Sequence, residues 1–101
     1  MKPEVAYCHM LASVVAADGR MDDRERVLLE RIMGELGLTE EERDAVTHFE
    51  GVEEAESVLS TLSHDVKEQL RDDMLAATLA DGEISKLERD QIAKVTKLMQ
   101  L

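Results

Sequence analysis

The chain has 101 residues, of which 44% are apolar and 35% are charged, so it can bury the core of one globular domain. Its 23 acidic residues outnumber its 12 basic residues, which gives a net charge of −11, and its only aromatic residues are Tyr7 and Phe49. Nucleic-acid binding needs clustered Lys and Arg together with stacking aromatic rings. The composition therefore argues against a nucleic-acid partner and favours a basic protein partner.

The single cysteine, Cys8, excludes an internal disulfide and indicates a reducing compartment. No apolar run approaches the ~18 residues of a membrane span, and the first residues do not resemble a signal peptide. We therefore expect a cytoplasmic protein that does not insert into a membrane. Because Cys8 lies on a predicted apolar helix face, we also expect its thiol to be buried and unreactive.

Apolar residues recur at intervals of three and four, which predicts an all-α fold without strands. We predict six helices, over residues 3–17, 22–36, 39–50, 52–62, 63–79 and 85–101. Asp22, Thr39, Ser63 and Ser85 are the predicted N-caps, and Thr39 and Ser85 each begin a Ser/Thr-x-x-Glu capping box. The glycines expected at helix ends are Gly19, Gly37, Gly51 and Gly82.

One face of most of these helices is apolar and defines the expected core. The predicted core positions are Val5, Cys8, Leu11, Ala12, Val15, Leu28, Leu29, Ile32, Met33, Leu36, Val66, Leu70, Met74, Ala77, Thr78, Ile92, Val95, Leu98 and Met99.

Acidic residues are concentrated in the middle of the chain. Between Thr39 and Glu56 the sequence has eight acidic residues and one basic residue, Arg43. Such a run is typical of a solvated face that keeps the protein soluble. A docking surface for a basic partner is the alternative interpretation.

The two ends of the sequence repeat one another at an offset of 63 residues. Residues 11–38 align with residues 74–101, so that the Ala-Asp-Gly turn at 17–19 matches the one at 80–82. Each copy predicts helix, turn and helix, within repeat halves of about 3–38 and 63–101 of a single domain spanning 1–101. Because one helical hairpin cannot cover its own apolar face, we expect the halves to pack about a pseudo-twofold axis. The two turns would then lie side by side, with Met21 and Ile84 buried.

Each repeated turn contains an Asp seven residues before a Glu, and three interpretations of this motif are considered. In the first, the glycine permits a positive φ and the Glu completes a capping box. The second, an EF-hand calcium loop, is excluded because apolar residues occupy its first and third ligand positions. In the third, four carboxylates meet in one cluster, which is either a weak site for Ca²⁺ or Mg²⁺ or a polar recognition site. Those four residues are Asp18, Glu25, Asp81 and Glu88.

At these motifs the sequence resembles the TerB-like domain family of tellurite-resistance proteins. The resemblance is carried by VVAADGRMDDRERVLLERIMGELGL and LAATLADGEISKLERDQIAKVTKLM, and it covers nearly the whole chain. It implies an all-helical fold of six to seven helices with an internal repeat, in which Asp18, Glu25, Asp81 and Glu88 are shared acidic positions. It also implies a stress-response setting with membrane-associated or calcium-binding partners.

Two functional hypotheses follow from the sequence. The first is a non-catalytic binding or scaffold module in stress response. Its expected protein partners are basic or membrane-associated, and its one candidate cofactor is a weakly bound divalent cation. The second is an enzyme of unknown substrate that uses the carboxylates as a metal or acid–base site. The sequence has no Gly-x-Ser-x-Gly elbow and no phosphate-binding loop, so no catalytic residue is predicted. A deep cleft beside the carboxylates would favour the enzyme.

Overall fold

The computed structural model describes residues 1–19, 21–79 and 84–101, and it is 75% helical. The helices are α1 (Pro3–Val15), α2 (Asp23–Glu35), α3 (Glu40–Thr47), α4 (Val52–Val58), α5 (His64–Thr78) and α6 (Lys86–Leu98), and a single 3-10 turn (Leu59–Thr61) follows α4. No strand occurs in the described residues, so the predicted all-α fold of six to seven helices is confirmed. No helix in this part of the chain has the length and apolar character needed to cross a membrane.

The four predicted N-caps, at the starts of α2, α3, α5 and α6, are confirmed. The side chains of Asp22, Thr39 and Ser85 each accept a hydrogen bond from the backbone N–H three residues later, and the Glu at that later position accepts one from the cap's N–H. Three of the helices therefore begin with complete capping boxes, which satisfy N–H groups that have no partner inside the helix. Ser63 caps α5 by accepting from the Val66 N–H at 3.3 Å.

Two helices end earlier than their nearest glycine would suggest. The predicted end of α3 was Glu50, before Gly51, but α3 ends at Thr47. Phe49 adopts a left-handed φ of +57°, and the Glu50 N–H donates to the Ala45 carbonyl at 2.9 Å. This is the hydrogen bond of a Schellman motif, in which a phenylalanine takes the position that glycine usually holds. Similarly, α1 ends at Val15 rather than at residue 17.

Glycines at the other predicted ends behave as expected. Gly37 follows α2 with a φ of +75°, and Gly19 in the first Asp-Gly turn has a φ of +90°. A side chain at either position would be strained, because L-residues other than Asn and Asp rarely adopt this region. Gly82, the equivalent glycine of the second repeat, lies outside the described residues.

Helix α1 is the centre of the fold. It packs against all five other α-helices, and ten of its thirteen residues are buried. The predicted stripe of Val5, Cys8, Leu11, Ala12 and Val15 is buried, but so is most of the remaining circumference. A helix that is apolar on nearly every side belongs in the interior. The other helices therefore wrap α1 and form one domain around it.

Seven predicted buried positions need correction, and three of them, Leu28, Ile92 and Leu98, are half-buried against the core. Leu36 and Val66 are 38% and 39% exposed, because Leu36 follows the last turn of α2 and Val66 lies in the first turn of α5, where neighbouring helices cover less surface. Met21 and Ile84 are half-buried rather than buried, since each lies in a loop directly before a helix cap.

Candidate functional site

The equivalent glutamates of the two repeats meet at the starts of α2 and α6. Glu25 Oε1 accepts from the Asp22 N–H and Glu88 Oε1 accepts from the Ser85 N–H, each at 3.1 Å. Both side chains are buried, at 5% and 4% exposure, and the charge of Glu88 raises the pKa of Glu25, so the two carboxyl groups are close neighbours. We call Glu25 and Glu88 the carboxyl pair. Capping by each helix start brings the two acids together, although they are 63 positions apart in the sequence.

Burial and neighbouring charge change the acidity of the carboxyl pair. The pKa of Glu25 rises from 4.5 to about 7, chiefly because burial disfavours the charged form. The negative charges of Asp22 and Glu88 raise this pKa further, whereas the Asp22 N–H opposes the rise. Glu25 Oε2 is buried, and no N–H or hydroxyl donor of the described residues reaches it. A proton on Glu25 supplies the missing donor between two groups that otherwise only accept hydrogen bonds.

The structure assembles two of the four residues predicted to hold a cation. Glu25 and Glu88 are in contact, whereas Asp18 is exposed in the first Asp-Gly turn. Asp81 lies outside the described residues. Within the described ranges, no three His, Cys, Asp or Glu side chains are arranged to hold a metal ion. Because the proposed site needs Asp81, the weak Ca²⁺ or Mg²⁺ site remains a prediction.

An open groove of about 910 Å³ lies beside the carboxyl pair, between the end of α1, α2, the α3–α4 turn and α6. We call this cavity the groove. Its lining residues are Ser13, Ala16, Ala17, Gly19, Met21, Arg26, Leu29, Glu30, Met33, Thr47, Phe49, Leu87, Asp90, Gln91 and Lys94. Leu29 and Met33 are fully buried and contribute to its floor, and Phe49 and Leu87 are 43% and 55% exposed. The groove therefore offers apolar side chains that no described part of the chain covers.

The local sequence explains how the groove and the carboxyl pair come to be neighbours. Glu25 and Glu88 turn inward as capping partners, and the residues next to them, Arg26 and Leu87, line the groove. Successive residues on a helix point about 100° apart, so an inward Glu directs its neighbour sideways. Gln91 Nε2 donates to Ser13 Oγ at 3.2 Å and ties α6 to α1 at the groove.

Neither member of the carboxyl pair lines the groove. A catalytic carboxyl must reach the reacting atoms of a substrate. Neither Glu25 nor Glu88 would therefore reach a substrate placed in this groove.

Acidic surface borders the groove where α3 turns into α4. Six of the eight acidic residues between Thr39 and Glu56 are exposed. Three of the eight have an ion-pair partner: Glu42 with Lys2, Glu54 with the terminal amine and Glu56 with Lys94. The other five have none among the described residues, namely Glu40, Glu41, Asp44, Glu50 and Glu53.

Sequence reasoning missed Phe49 and Leu87 as surface features. Leu87 carries no clear sequence signal, because it lies eleven residues before Leu98 and therefore on nearly the same side of α6 as a predicted core position. Phe49 is one of only two aromatic residues and follows a short acidic helix. Isolated apolar residues of this kind are common on surfaces, however, and only the fold shows that these two flank one groove.

Cys8 and His9 lie in the interior and face different surroundings. Cys8 is fully buried, and burial raises its pKa to about 12, with Asp73 and Glu4 adding to the rise. Its thiol therefore stays protonated, as expected for an unreactive cysteine.

His9 is also buried, and neither ring nitrogen has a hydrogen-bond partner among the described residues. Burial lowers the pKa of His9, with Glu54 opposing this effect, so the ring is neutral near pH 7.

Comparison of the chain with protein-family models, with curated proteins and with solved structures found no significant match.

Proposed function

We propose that this protein is a non-catalytic binding module that holds a basic, amphipathic segment of a partner protein in the groove. The observation that carries the proposal is the set of apolar side chains at the groove, above all Phe49 and Leu87. A volume of about 910 Å³ is at the upper end of the range for ligand pockets, and an open shape accepts a segment of chain better than an enclosed small molecule. Apolar side chains on one face of such a segment would cover this surface.

The surrounding charge supports a basic occupant. The groove is lined by two acidic residues, Glu30 and Asp90, and by two basic residues, Arg26 and Lys94. The formal charges of its lining residues therefore cancel. Beyond Phe49, the carboxylates of α3 and α4 that have no ion-pair partner among the described residues make the adjoining surface strongly negative. Lys or Arg residues on the outer face of the bound segment would meet this surface, which speeds association and favours one orientation. The stress-response setting implied by the TerB-like resemblance belongs to the same proposal.

The test uses a synthetic helical peptide of about 18 residues with Leu on one face and Lys on the other. A peptide of the same composition in scrambled order and a Leu–Glu peptide serve as comparison probes. Binding is followed by amide chemical shifts of the isotopically labelled chain. We expect saturable shifts at Phe49, Leu87 and Gln91, weaker binding of the scrambled peptide, and loss of affinity as salt is added.

Two matched variants locate the binding surface. Leu87→Gln removes an apolar contact in the groove and should weaken the Leu–Lys peptide about fivefold to tenfold. Leu79→Gln is the control, because Leu79 is similarly exposed, at 52% against 55%, and does not line the groove. Equal affinities for the two variants, or equal binding of the Leu–Glu peptide, would refute the proposal.

A further inference from the structure

A second cavity, of about 490 Å³, shares no lining residue with the groove. It lies between the start of α1, the end of α2, residues 61–63 and the start of α5. Ile32, Leu36, Leu62 and Val66 form its apolar wall, and Leu36 and Val66 are more than one-third exposed. The volume is within the ordinary range for a small-molecule pocket.

Asp73 provides a fixed carboxylate in this cavity. The Tyr7 hydroxyl donates to Asp73 Oδ2, and Gln69 Nε2 donates to Asp73 Oδ1 at 3.1 Å. Burial and the hydrogen bond to Asp73 raise the pKa of Tyr7, so the phenol stays protonated and keeps donating. Because a carboxylate has about four acceptor positions, two remain available to a ligand.

The charge of the cavity is not balanced by the protein. Asp73 has no Lys, Arg or His within ion-pair distance among the described residues. Glu4 and Glu35 also line the cavity, and its one basic residue, Arg31, is paired with Glu35 at 3.7 Å. The polar part of the cavity therefore has an excess of negative charge, in a protein whose net charge is already −11.

We propose that this cavity binds a small amphiphilic amine, whose ammonium group pairs with Asp73 and whose hydrocarbon part lies against Ile32, Leu62 and Val66. Charge-assisted hydrogen bonds of this kind are the strong ones in protein sites, and the apolar wall adds affinity in proportion to the area it covers. A fatty acid would place its carboxylate against Asp73 and be repelled. A neutral alcohol would fill the apolar part without compensating the charge.

The probe is n-octylammonium, titrated into the isotopically labelled full chain at constant ionic strength, with n-octanoate and octan-1-ol as comparison ligands. For a ligand of this size we expect a Kd on the order of 10⁻⁴–10⁻³ M. The amide shifts should saturate and be confined to residues around Tyr7, Ile32, Leu62 and Val66. Octanol should bind about tenfold more weakly, and octanoate should produce no saturable shifts.

Two variants test the two halves of the site. Asp73→Asn should weaken octylammonium binding about tenfold or more while retaining an acceptor for Tyr7. Val66→Gln should weaken it about threefold to fivefold without touching the Tyr7–Asp73 hydrogen bond, which covers the case in which Asp73→Asn does not fold. Asp72→Asn and Val27→Gln are matched controls outside the cavity and should leave the affinity unchanged.

Three results would overturn the proposal. They are shifts that spread over the acidic α3–α4 surface without saturating, affinity for octanol equal to that for octylammonium, and affinity unchanged in both Val66→Gln and any folded Asp73→Asn protein.

Discussion

The capping boxes at the starts of α2 and α3 are alike in local geometry and opposite in electrostatics. Glu25 accepts from its cap's N–H at 3.1 Å, and Glu42 accepts from its cap's N–H at 2.9 Å. Glu42 is part-exposed, and its pKa is lowered, first by the hydrogen bond from the Thr39 N–H and then by the charge of Lys2. Glu25 is buried against Glu88, and its pKa rises to about 7.

The comparison shows that a capping box specifies where a helix begins, but it does not specify whether the glutamate of the box is charged. Both glutamates receive a backbone hydrogen bond that stabilises the anion. At Glu42 this hydrogen bond and the charge of Lys2 outweigh the effect of burial, whereas at Glu25 burial and a second carboxyl outweigh the hydrogen bond. The internal repeat is the reason for that second carboxyl, because the two halves bring equivalent glutamates to one place.

The largest effect is expected from Glu25→Gln, which keeps the capping box and imitates the protonated acid. The unfolded carboxyl loses its proton near pH 4.5 and the folded one near pH 7, so the stability that Glu25 contributes is present below about pH 4.5 and is lost as the pH rises to about 7. We expect the variant to match the wild type near pH 4.5 and to exceed its free energy of unfolding by roughly 3 kcal/mol above pH 7. Urea unfolding at a series of pH values measures this difference.

The same comparison can be sharpened by titrating Glu25 itself in a Glu88→Gln variant. Removing the Glu88 charge should lower the pKa of Glu25, while burial keeps it above the value of an exposed glutamate. Carboxyl ¹³C shifts of Glu25 provide the measurement, with Glu42 as an internal reference whose pKa should not move. If the pKa of Glu25 stayed near 7, the two carboxyls would not be coupled.

A smaller effect of opposite sign is expected at Glu42. Because its folded pKa is lowered, its contribution to stability is present above the unfolded value of about 4.5 and is lost as the pH falls through the folded pKa. Glu42→Gln should therefore reduce stability slightly at neutral pH and make the protein less sensitive to acid. Acid unfolding curves of Glu42→Gln and Glu25→Gln, measured side by side, should differ in direction; curves that change in the same direction would contradict the comparison.

The smallest expected effect concerns the predicted cation site. Millimolar Ca²⁺ at pH 8 should raise the melting temperature by about 2 °C more in the wild type than in an Asp18→Asn/Asp81→Asn double variant. At pH 6 the gain should shrink, because a proton on Glu25 competes with the cation for the carboxyl pair. Thermal denaturation at constant ionic strength tests both statements, and equal gains in the two proteins would refute the predicted cation site.

Much of the fold was predictable because it depends on short-range interactions. The N-caps at Asp22, Thr39, Ser63 and Ser85 and the positive φ of Gly37 follow from residues within one turn of each helix end. The end of α3 was not predictable in the same way, since Phe49 adopts a conformation that glycine usually takes. The nearest glycine, Gly51, was therefore a misleading signal.

The sequence by itself determined the helices, their starts and the repeat that makes Glu25 and Glu88 equivalent positions. These features depend on the spacing of apolar residues and on hydrogen bonds between residues three positions apart. Both patterns can be recognised in a single sequence. Only the tertiary structure decided that α1 is buried on nearly every side, that Phe49 and Leu87 flank one groove, and that the two glutamates touch. Exposure and ionisation depend on what packs against a residue from distant parts of the chain, and local sequence does not contain that information.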